Sequence, residues 1–89
     1  MAKVVLSERF GYDIDDITSE RIPAWIKSNI EYAALFPQIG SQLIPQRAKK
    51  QFGDSSRRIG IPPFDLYYTY DQETDTITVE GMVHQRQGL

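Results

Sequence analysis

Three runs of β-branched and aromatic residues fill most of the second half of the 89-residue chain. They span residues 56–61, 65–70 and 76–84, and are separated by Pro62-Pro63 and by the polar stretch 71–75. Residues of these types favour strands, and the short separators are rich in turn-forming residues, so each strand folds back on the one before it. The pattern predicts an antiparallel β-meander.

The first residues of the chain predict a strand that leads into a helix. Residues 3–7 read Lys-Val-Val-Leu-Ser, a short β-branched run that ends in Ser7, a good helix N-cap. Phe10, Ile14 and Ile17 then recur at spacings of four and three, which places them on one helical face. We expect this helix to end by about Ser19.

Two prolines delimit a second helix. Pro23 suits a first helical turn and disfavours one continuous rod from residue 8 to residue 36. Phe36 precedes Pro37 and is therefore pushed out of the α region, which ends the helix there. The two helices form an αα-hairpin. Residues 38–46 contain Gly40 but little periodicity, and predict a loop that is longer than usual and hence a candidate for function.

Alternation along the strands sorts their side chains into two faces. Together with the helices, it predicts a single α+β domain over residues 1–89, with both helices packed on one face of the sheet and an open polar face on the other. The helix-facing residues would be Ile59, Ile61, Leu66, Tyr68, Tyr70, Ile77, Val79 and Val83. The open face would carry Arg58, Tyr67, Thr69, Glu80, Met82 and His84.

Composition excludes several classes of site. The chain has no cysteine and one histidine, so disulfides, thiolate chemistry and structural zinc are excluded, and we expect no metal and no cofactor. Its apolar stretches fall far short of the ~18 residues that span a bilayer, so we expect no membrane contact and a cytoplasmic location. A domain of this size buries only ~60% of its unfolded surface, which favours a protein partner.

Charge is distributed unevenly along the chain. The formal net charge is −2, yet residues 37–64 carry five basic side chains against Asp54, whereas residues 65–89 carry Arg86 against five acidic ones. The basic segment indicates either a local face for an anionic ligand or a solvated loop with scattered cations.

Several segments, taken in order, resemble the RelE/ParE toxin superfamily. After the N-terminal strand and the αα-hairpin come Phe-Pro-x-Ile-Gly at residues 36–40, Arg-Arg-Ile at 57–59, Leu-Tyr-Tyr-Thr-Tyr at 66–70 and His-x-Arg at 84–86. The resemblance covers nearly the whole chain and rests on the order of elements together with these short motifs.

The resemblance implies the toxin of a type II toxin–antitoxin pair, neutralised by a cognate antitoxin. Such toxins act on one fold by different mechanisms, either by cutting mRNA on the ribosome or by poisoning DNA gyrase. A third alternative is a degenerate member that binds an antitoxin and is harmless. The sequence leaves these three open.

Metal-independent cleavage of mRNA would need a base, an acid and cations that hold the phosphate. The candidates are His84 and Glu80 for proton transfer, with Arg58 and Arg86 on the phosphate. The RNA would be held further by Lys49, Lys50 and Arg57, and by Tyr67 stacking on a base. The simpler alternatives are that Arg57 and Arg58 form ion pairs with Asp65 or Glu80, and that Tyr68 and Tyr70 pack in the core.

One position departs from the ribosome-dependent nucleases of the superfamily. In those proteins an arginine commonly precedes the apolar strand that ends in tyrosine, whereas this chain has Phe64-Asp65 before Leu66. A carboxylate near a scissile phosphate is repulsive, so either Arg57 or Arg58 substitutes for the missing cation or the protein does not cut RNA.

Overall fold

A four-stranded mixed sheet forms the centre of the protein in a computed structural model, which describes residues 1–10 and 23–86. The strands are β1 (Lys3–Leu6), β2 (Arg57–Ile61), β3 (Phe64–Asp71) and β4 (Thr76–His84). Their order across the sheet is β1-β4-β3-β2, with β1 parallel to β4 and the other pairs antiparallel. The predicted α+β class, N-terminal strand and meander are confirmed.

Two helices are described in full, α1 (Ala24–Leu35) and α2 (Gln46–Phe52). As predicted, α1 follows Pro23 at its N-cap and ends at Phe36, directly before Pro37. Ser7 also caps as predicted, because its Oγ accepts a hydrogen bond from the Phe10 N–H at 3.1 Å, and residues 8–10 are helical. The predicted course of that helix past residue 10 lies outside the described residues.

The main core lies between α1 and the sheet. The predicted helix-facing residues of β2, β3 and β4 either lie in this core or pack against it, with the exception of Val83. Helix α1 contributes Ile26, Ile30, Ala33 and Ala34, which recur at helical spacing and are almost fully buried. This face of the sheet supplies most of the apolar burial among the described residues.

The opposite face is covered by α2, so the prediction of an open polar face is wrong. Ala48 and Phe52 of α2 enclose Tyr67, whose ring stacks on Phe52 with centroids 4.8 Å apart. Tyr67 is consequently only 2% exposed. Helix α2 carries few apolar residues, begins after Pro45 and ends at Gly53, whose positive φ of 107° suits glycine.

A β-bulge shifts the alternation of β4 and corrects three predicted side-chain positions. Tyr67 pairs with Gly81 and Tyr68 pairs with Val79, which leaves Glu80 without a partner on β3. Residues after the bulge therefore change face. Met82 lies in the main core and Val83 packs beside Tyr67, and His84 contacts Phe64 on the α1 side.

The loop after α1 is held closely against the sheet. The Tyr68 hydroxyl donates to the Pro37 carbonyl at 2.7 Å and accepts from the Gly40 N–H at 2.9 Å. A Cβ at Gly40 would lie 2.8 Å from Tyr68 Cε1 and 2.9 Å from the Arg57 Cβ. Glycine is therefore required here by close approach, which gives the Phe-Pro-x-Ile-Gly segment a structural role.

Candidate functional site

A groove of about 600 Å³, which we call the edge groove, runs along the outer edge of β2 beside α1. Ser41 forms part of its wall, because it pairs with Arg58 through two backbone hydrogen bonds of 2.8 and 2.9 Å. Gly60 leaves the groove open beyond that bridge, with Asp65 and Gln85 opposite. The groove therefore combines a partly paired strand edge with a small set of polar side chains.

Arg58 and Asp65 form the charged centre of the groove. Arg58 Nη1 lies 4.0 Å from Asp65 Oδ2, and the two side chains are 37% and 18% exposed. The Gln85 side-chain amide donates to Asp65 Oδ1 at 3.1 Å. Ion pairs of this exposure contribute little stability, but the carboxylate offsets the positive charge that would attract a phosphate.

The hydroxyl of Tyr67 lies near this pair, although its ring is buried under Phe52. Burial raises the pKa of Tyr67, and the Asp65 carboxylate raises this pKa further while Arg58 opposes the shift. The phenol therefore stays protonated near neutral pH and acts as a donor, not as a base. Stacking of a nucleobase on this ring would require Phe52 to move aside.

Glu80 and His84, the predicted proton-transfer pair, lie on opposite faces of the sheet. The Glu80 carboxylate accepts a hydrogen bond from Thr69 Oγ1 at 2.9 Å, on the face that carries Tyr67. The His84 ring makes an edge contact with Phe64 on the α1 side, with centroids 5.2 Å apart. The expectation that the two share a face is wrong, because the bulge at Glu80 separates them.

The other predicted cations do not line the edge groove. Arg57 Nη1 donates to the carbonyls of Gln38 and Gly40, at 3.1 and 2.9 Å, and so fixes the loop after α1. Lys49 and Lys50 lie in the last turn of α2. Arg86 follows β4 and is exposed. Of the described residues that line the groove, Arg58 is the one cation.

The sequence did not single out Ser41 or Gln85. Ser41 lies within residues 38–46, where the length of the predicted loop was a weak signal of function. Gln85 lies between His84 and Arg86 of the His-x-Arg motif, but only the tertiary structure brings its amide to Asp65. The one strong sequence signal for this site was Phe64-Asp65, which stands where the superfamily's nucleases commonly have an arginine, since Asp65 lies at the centre of the groove.

Within residues 1–10 and 23–86, no group of three or more His, Cys, Asp or Glu side chains is arranged to hold a metal ion. In the same part of the chain, no helix has the length and hydrophobicity to cross a membrane.

Comparison with known proteins identifies the fold. No protein-family model matches the sequence, and no curated protein matches it. Among solved structures, the chain is similar to one in the crystal structure of the toxin–antitoxin complex RelBE2 from Mycobacterium tuberculosis. The two chains are 16% identical and superpose with a TM-score of 0.61, covering 93% of this chain and 96% of the other. At that identity the likeness is one of fold, and the chain described here has the fold of a RelE-like toxin.

Proposed function

We propose that this chain is the toxin component of a type II toxin–antitoxin pair, held inactive by an antitoxin and inhibiting bacterial growth when released. The fold supports this proposal, since the similar structure is a complex of a toxin with its antitoxin. The exposed apolar side chains around the end of α1 also support it, because surfaces of this kind commonly bind another protein.

The geometry favours a toxin that acts by binding a protein target such as DNA gyrase, not by cutting mRNA. The observation that carries this choice is the Arg58–Asp65 pair, which places a carboxylate beside the one cation that lines the edge groove in the described part of the chain. Cleavage also needs an acid and a base that reach the same phosphodiester. Glu80 and His84 lie on opposite faces and do not meet this requirement.

Cleavage of mRNA on the ribosome remains the second candidate because of the geometry at the end of β4. His84 Nδ1 accepts a hydrogen bond from the Arg86 N–H at 3.1 Å, so the neutral ring carries its proton on Nε2. Such a ring can donate a hydrogen bond from Nε2 to a phosphate or leaving oxygen, and the Arg86 side chain supplies a cation two residues away.

Induced expression in a bacterial host separates the candidates. Growth is followed together with incorporation of a labelled amino acid and of labelled thymidine. We expect thymidine incorporation to fail first, as gyrase poisoning requires. Earlier loss of protein synthesis would overturn the protein-binding mechanism in favour of mRNA cleavage. Normal growth with normal incorporation of both labels would indicate a harmless member of the superfamily that only binds an antitoxin.

Two variants test whether any toxicity depends on the predicted catalytic groups. His84→Ala and Arg58→Ala abolish activity if the protein cuts RNA, whereas both stay toxic under the mechanism we favour. Arg47→Ala is the matched control, because it removes an exposed cation from α2, away from the edge groove. Circular dichroism of the purified variants shows that any loss does not come from unfolding.

A further inference from the structure

The outer edge of β1 is apolar and has no partner strand in the described part of the chain. Strand β1 lies at one end of the sheet order, and β4 pairs with its inner side. Val4, Val5 and Leu6 of this strand are 37%, 44% and 43% exposed. Natural sheets usually protect such an edge with charges, proline or a bulge, whereas β1 carries a single charge, Lys3, at its first residue. The edge is therefore suited to pairing with a strand of another chain.

The outward hydrogen-bonding groups of this edge belong to Val4 and Leu6. Alternate residues of a strand direct their N–H and C=O groups to opposite sides. The N–H groups of Lys3 and Ser7 donate to carbonyls of β4 and of the residue before it, at 2.9 and 3.0 Å, so the groups of Val4 and Leu6 point outward. The edge ends there, because the Ala2 N–H donates to a carbonyl of α1 at 2.8 Å and the chain is helical from residue 8.

The side chains of β1 lie at the rim of the main core. Val4 pairs with Ile77 and Leu6 pairs with Val79, and both partners are fully buried in the cluster under α1. Because paired residues of neighbouring strands share a face, Val4 and Leu6 also lie on the α1 face. Val5 lies on the opposite face. A strand added beside β1 would continue the apolar layer of the core past the present edge of the sheet.

The other edge of the sheet does not offer a matching surface. On β2, the N–H and C=O of Arg58 already bond Ser41, and the next outward residue is Gly60, which has no side chain to pack. The β1 edge of a second copy supplies both the apolar side chains and the outward backbone groups. Pairing of like edges is closed by a two-fold axis, whereas pairing of β1 with β2 would continue from copy to copy. These observations favour a second copy of this chain as the occupant.

We propose that two copies of this chain pair through antiparallel β1 strands about a two-fold axis at Val5, which joins the two four-stranded sheets into one. In this register Val4 of one copy lies opposite Leu6 of the other, and each such pair exchanges two backbone hydrogen bonds. Val5 lies opposite the same residue of the second copy. The proposal goes beyond the proposed function and does not rest on it.

The charges at the two ends of β1 favour the antiparallel orientation. Lys3 and the amino terminus of Met1 lie at one end of the strand, and the exposed Glu8 follows the other end. Antiparallel pairing brings the positive end of each copy toward Glu8 of the other. It also holds the two Lys3 residues about 13 Å apart along the strands, whereas parallel pairing would place them side by side.

Other described charges near β1 are directed elsewhere. The Asp75 and Glu80 carboxylates accept hydrogen bonds from hydroxyls of β3, at 2.8 and 2.9 Å. The Arg9 guanidinium lies 5.9 Å from the centre of the Phe52 ring, toward α2. Asp75 precedes β4 beside Lys3 of its own copy, so it offsets part of the positive charge at that end in both copies alike.

A cysteine on the two-fold axis tests the register, since the chain has no cysteine of its own. Val5 and its copy form a non-hydrogen-bonded pair, with Cα atoms ~4.5 Å apart and within the range of a disulfide. Under mild oxidation, Val5→Cys should therefore form a linked dimer at least tenfold faster than Val4→Cys. The copy of Val4 is its diagonal neighbour at ~7–8 Å, too far for an unstrained disulfide.

Leu43→Cys is the matched control for random collision, because Leu43 is 85% exposed and lies outside β1. Equal rates of linkage for Val5→Cys and Leu43→Cys would overturn the proposal. Faster linkage of Val4→Cys than of Val5→Cys would exclude the proposed register.

Sedimentation equilibrium over a concentration series measures the association itself. An interface of this size is small, so we expect a dimer that dissociates on dilution. Val5→Lys and Val5→Glu should each sediment as single chains where the parent is dimeric, because like charges then meet at the axis. An equal mixture of the two variants should associate again, and Leu43→Lys should behave as the parent does.

Three results would overturn the proposal. A parent protein that remains a single chain up to about 1 mM would leave the edge to a strand of a different protein. A dimer that survives both charged variants would form through another surface. A mixture that fails to associate, while thermal melts show both variants folded, would exclude a two-fold axis at Val5.

Discussion

The two faces of the sheet are covered to very different depths. On the α1 face, twelve of the described residues form one buried cluster, whereas on the α2 face Ala48, Phe52 and Tyr67 form a cluster of three. The polar residues with functional potential, Arg58, Asp65 and Glu80, extend toward the thinly covered face or along its edge. The residues that contribute most of the buried core and these three polar residues therefore lie on opposite faces of the sheet.

The largest expected effect of a single substitution is on the α1 face. Leu66 is fully buried between α1 and the sheet, and Leu66→Ala should lower the free energy of unfolding by about 2–5 kcal/mol. Leu43→Ala, at an exposed leucine, should change it by less than about 0.5 kcal/mol. Urea denaturation measures both values, and similar losses at the two positions would contradict the described core.

Two glycines differ in how closely other atoms approach them, and substitutions there should differ in their effect on stability. Gly40→Ala would place a Cβ under 3.0 Å from Tyr68 and Arg57, and should cost about 3 kcal/mol because the loop must shift away from the sheet. Gly60→Ala meets its nearest atom only at 3.8 Å and should be close to neutral. Thermal melts of both variants give the difference, and an undisturbed Gly40→Ala protein would show that the loop is not packed as described.

The hydroxyl of Tyr68 should contribute less to the free energy of unfolding than is lost in Gly40→Ala. Its contribution should also depend on pH. Tyr68→Phe leaves the Gly40 N–H and the Pro37 carbonyl without this partner, and should cost about 2 kcal/mol. Burial raises the pKa of Tyr68 above that of free tyrosine, while the Gly40 hydrogen bond and Arg57 oppose the shift.

The direction of this pKa shift determines the pH range in which Tyr68 stabilises the fold. A raised pKa in the folded state stabilises the protein fully below about pH 10, and this contribution is lost as pH rises through the folded pKa. Alkaline denaturation should therefore be shallower in Tyr68→Phe than in the parent. It should not vanish, because the pKa values of Tyr67 and Tyr70 are raised as well. Equal alkaline slopes would show that Tyr68 is not buried as described.

The smallest expected effect belongs to the α2 face. Phe52→Leu removes the ring that stacks on Tyr67 but preserves an apolar side chain, and should cost less than about 1.5 kcal/mol. Phe36→Leu, at a residue 56% exposed, is the matched control and should cost almost nothing. A loss at Phe52 as large as that of Leu66→Ala would show that the two faces are equally important to stability.

The elements that local patterns specify were predictable from the sequence. Alternation predicted β4 at the bounds observed, and Pro37 fixed the end of α1. Helix α2 was missed because only two of its seven residues, Ala48 and Phe52, are apolar, and Phe52 has a reason to be helical only once Tyr67 lies beneath it. Only the tertiary structure brings these two residues into contact.

The candidate site was harder to predict because its residues meet across the sheet edge. Arg58 was expected there, and its ion pair with Asp65 was one of the alternatives derived from the sequence. The one sequence signal for the bulge at Glu80 is Gly81, a glycine within a strand, and unbroken alternation across it assigned the faces of His84 and Met82 wrongly. One unpaired residue was enough to place the two candidate proton-transfer groups on opposite faces of the sheet.

Among the described strands, β1 pairs with β4 alone, more than 70 positions further along the chain. The Ser7 hydroxyl likewise donates to the Glu80 carbonyl at 2.8 Å. During synthesis, a strand whose partner lies so far along the chain remains without it while the intervening segments emerge. The residues of β1 must therefore wait until β4 has left the ribosome before the sheet can close.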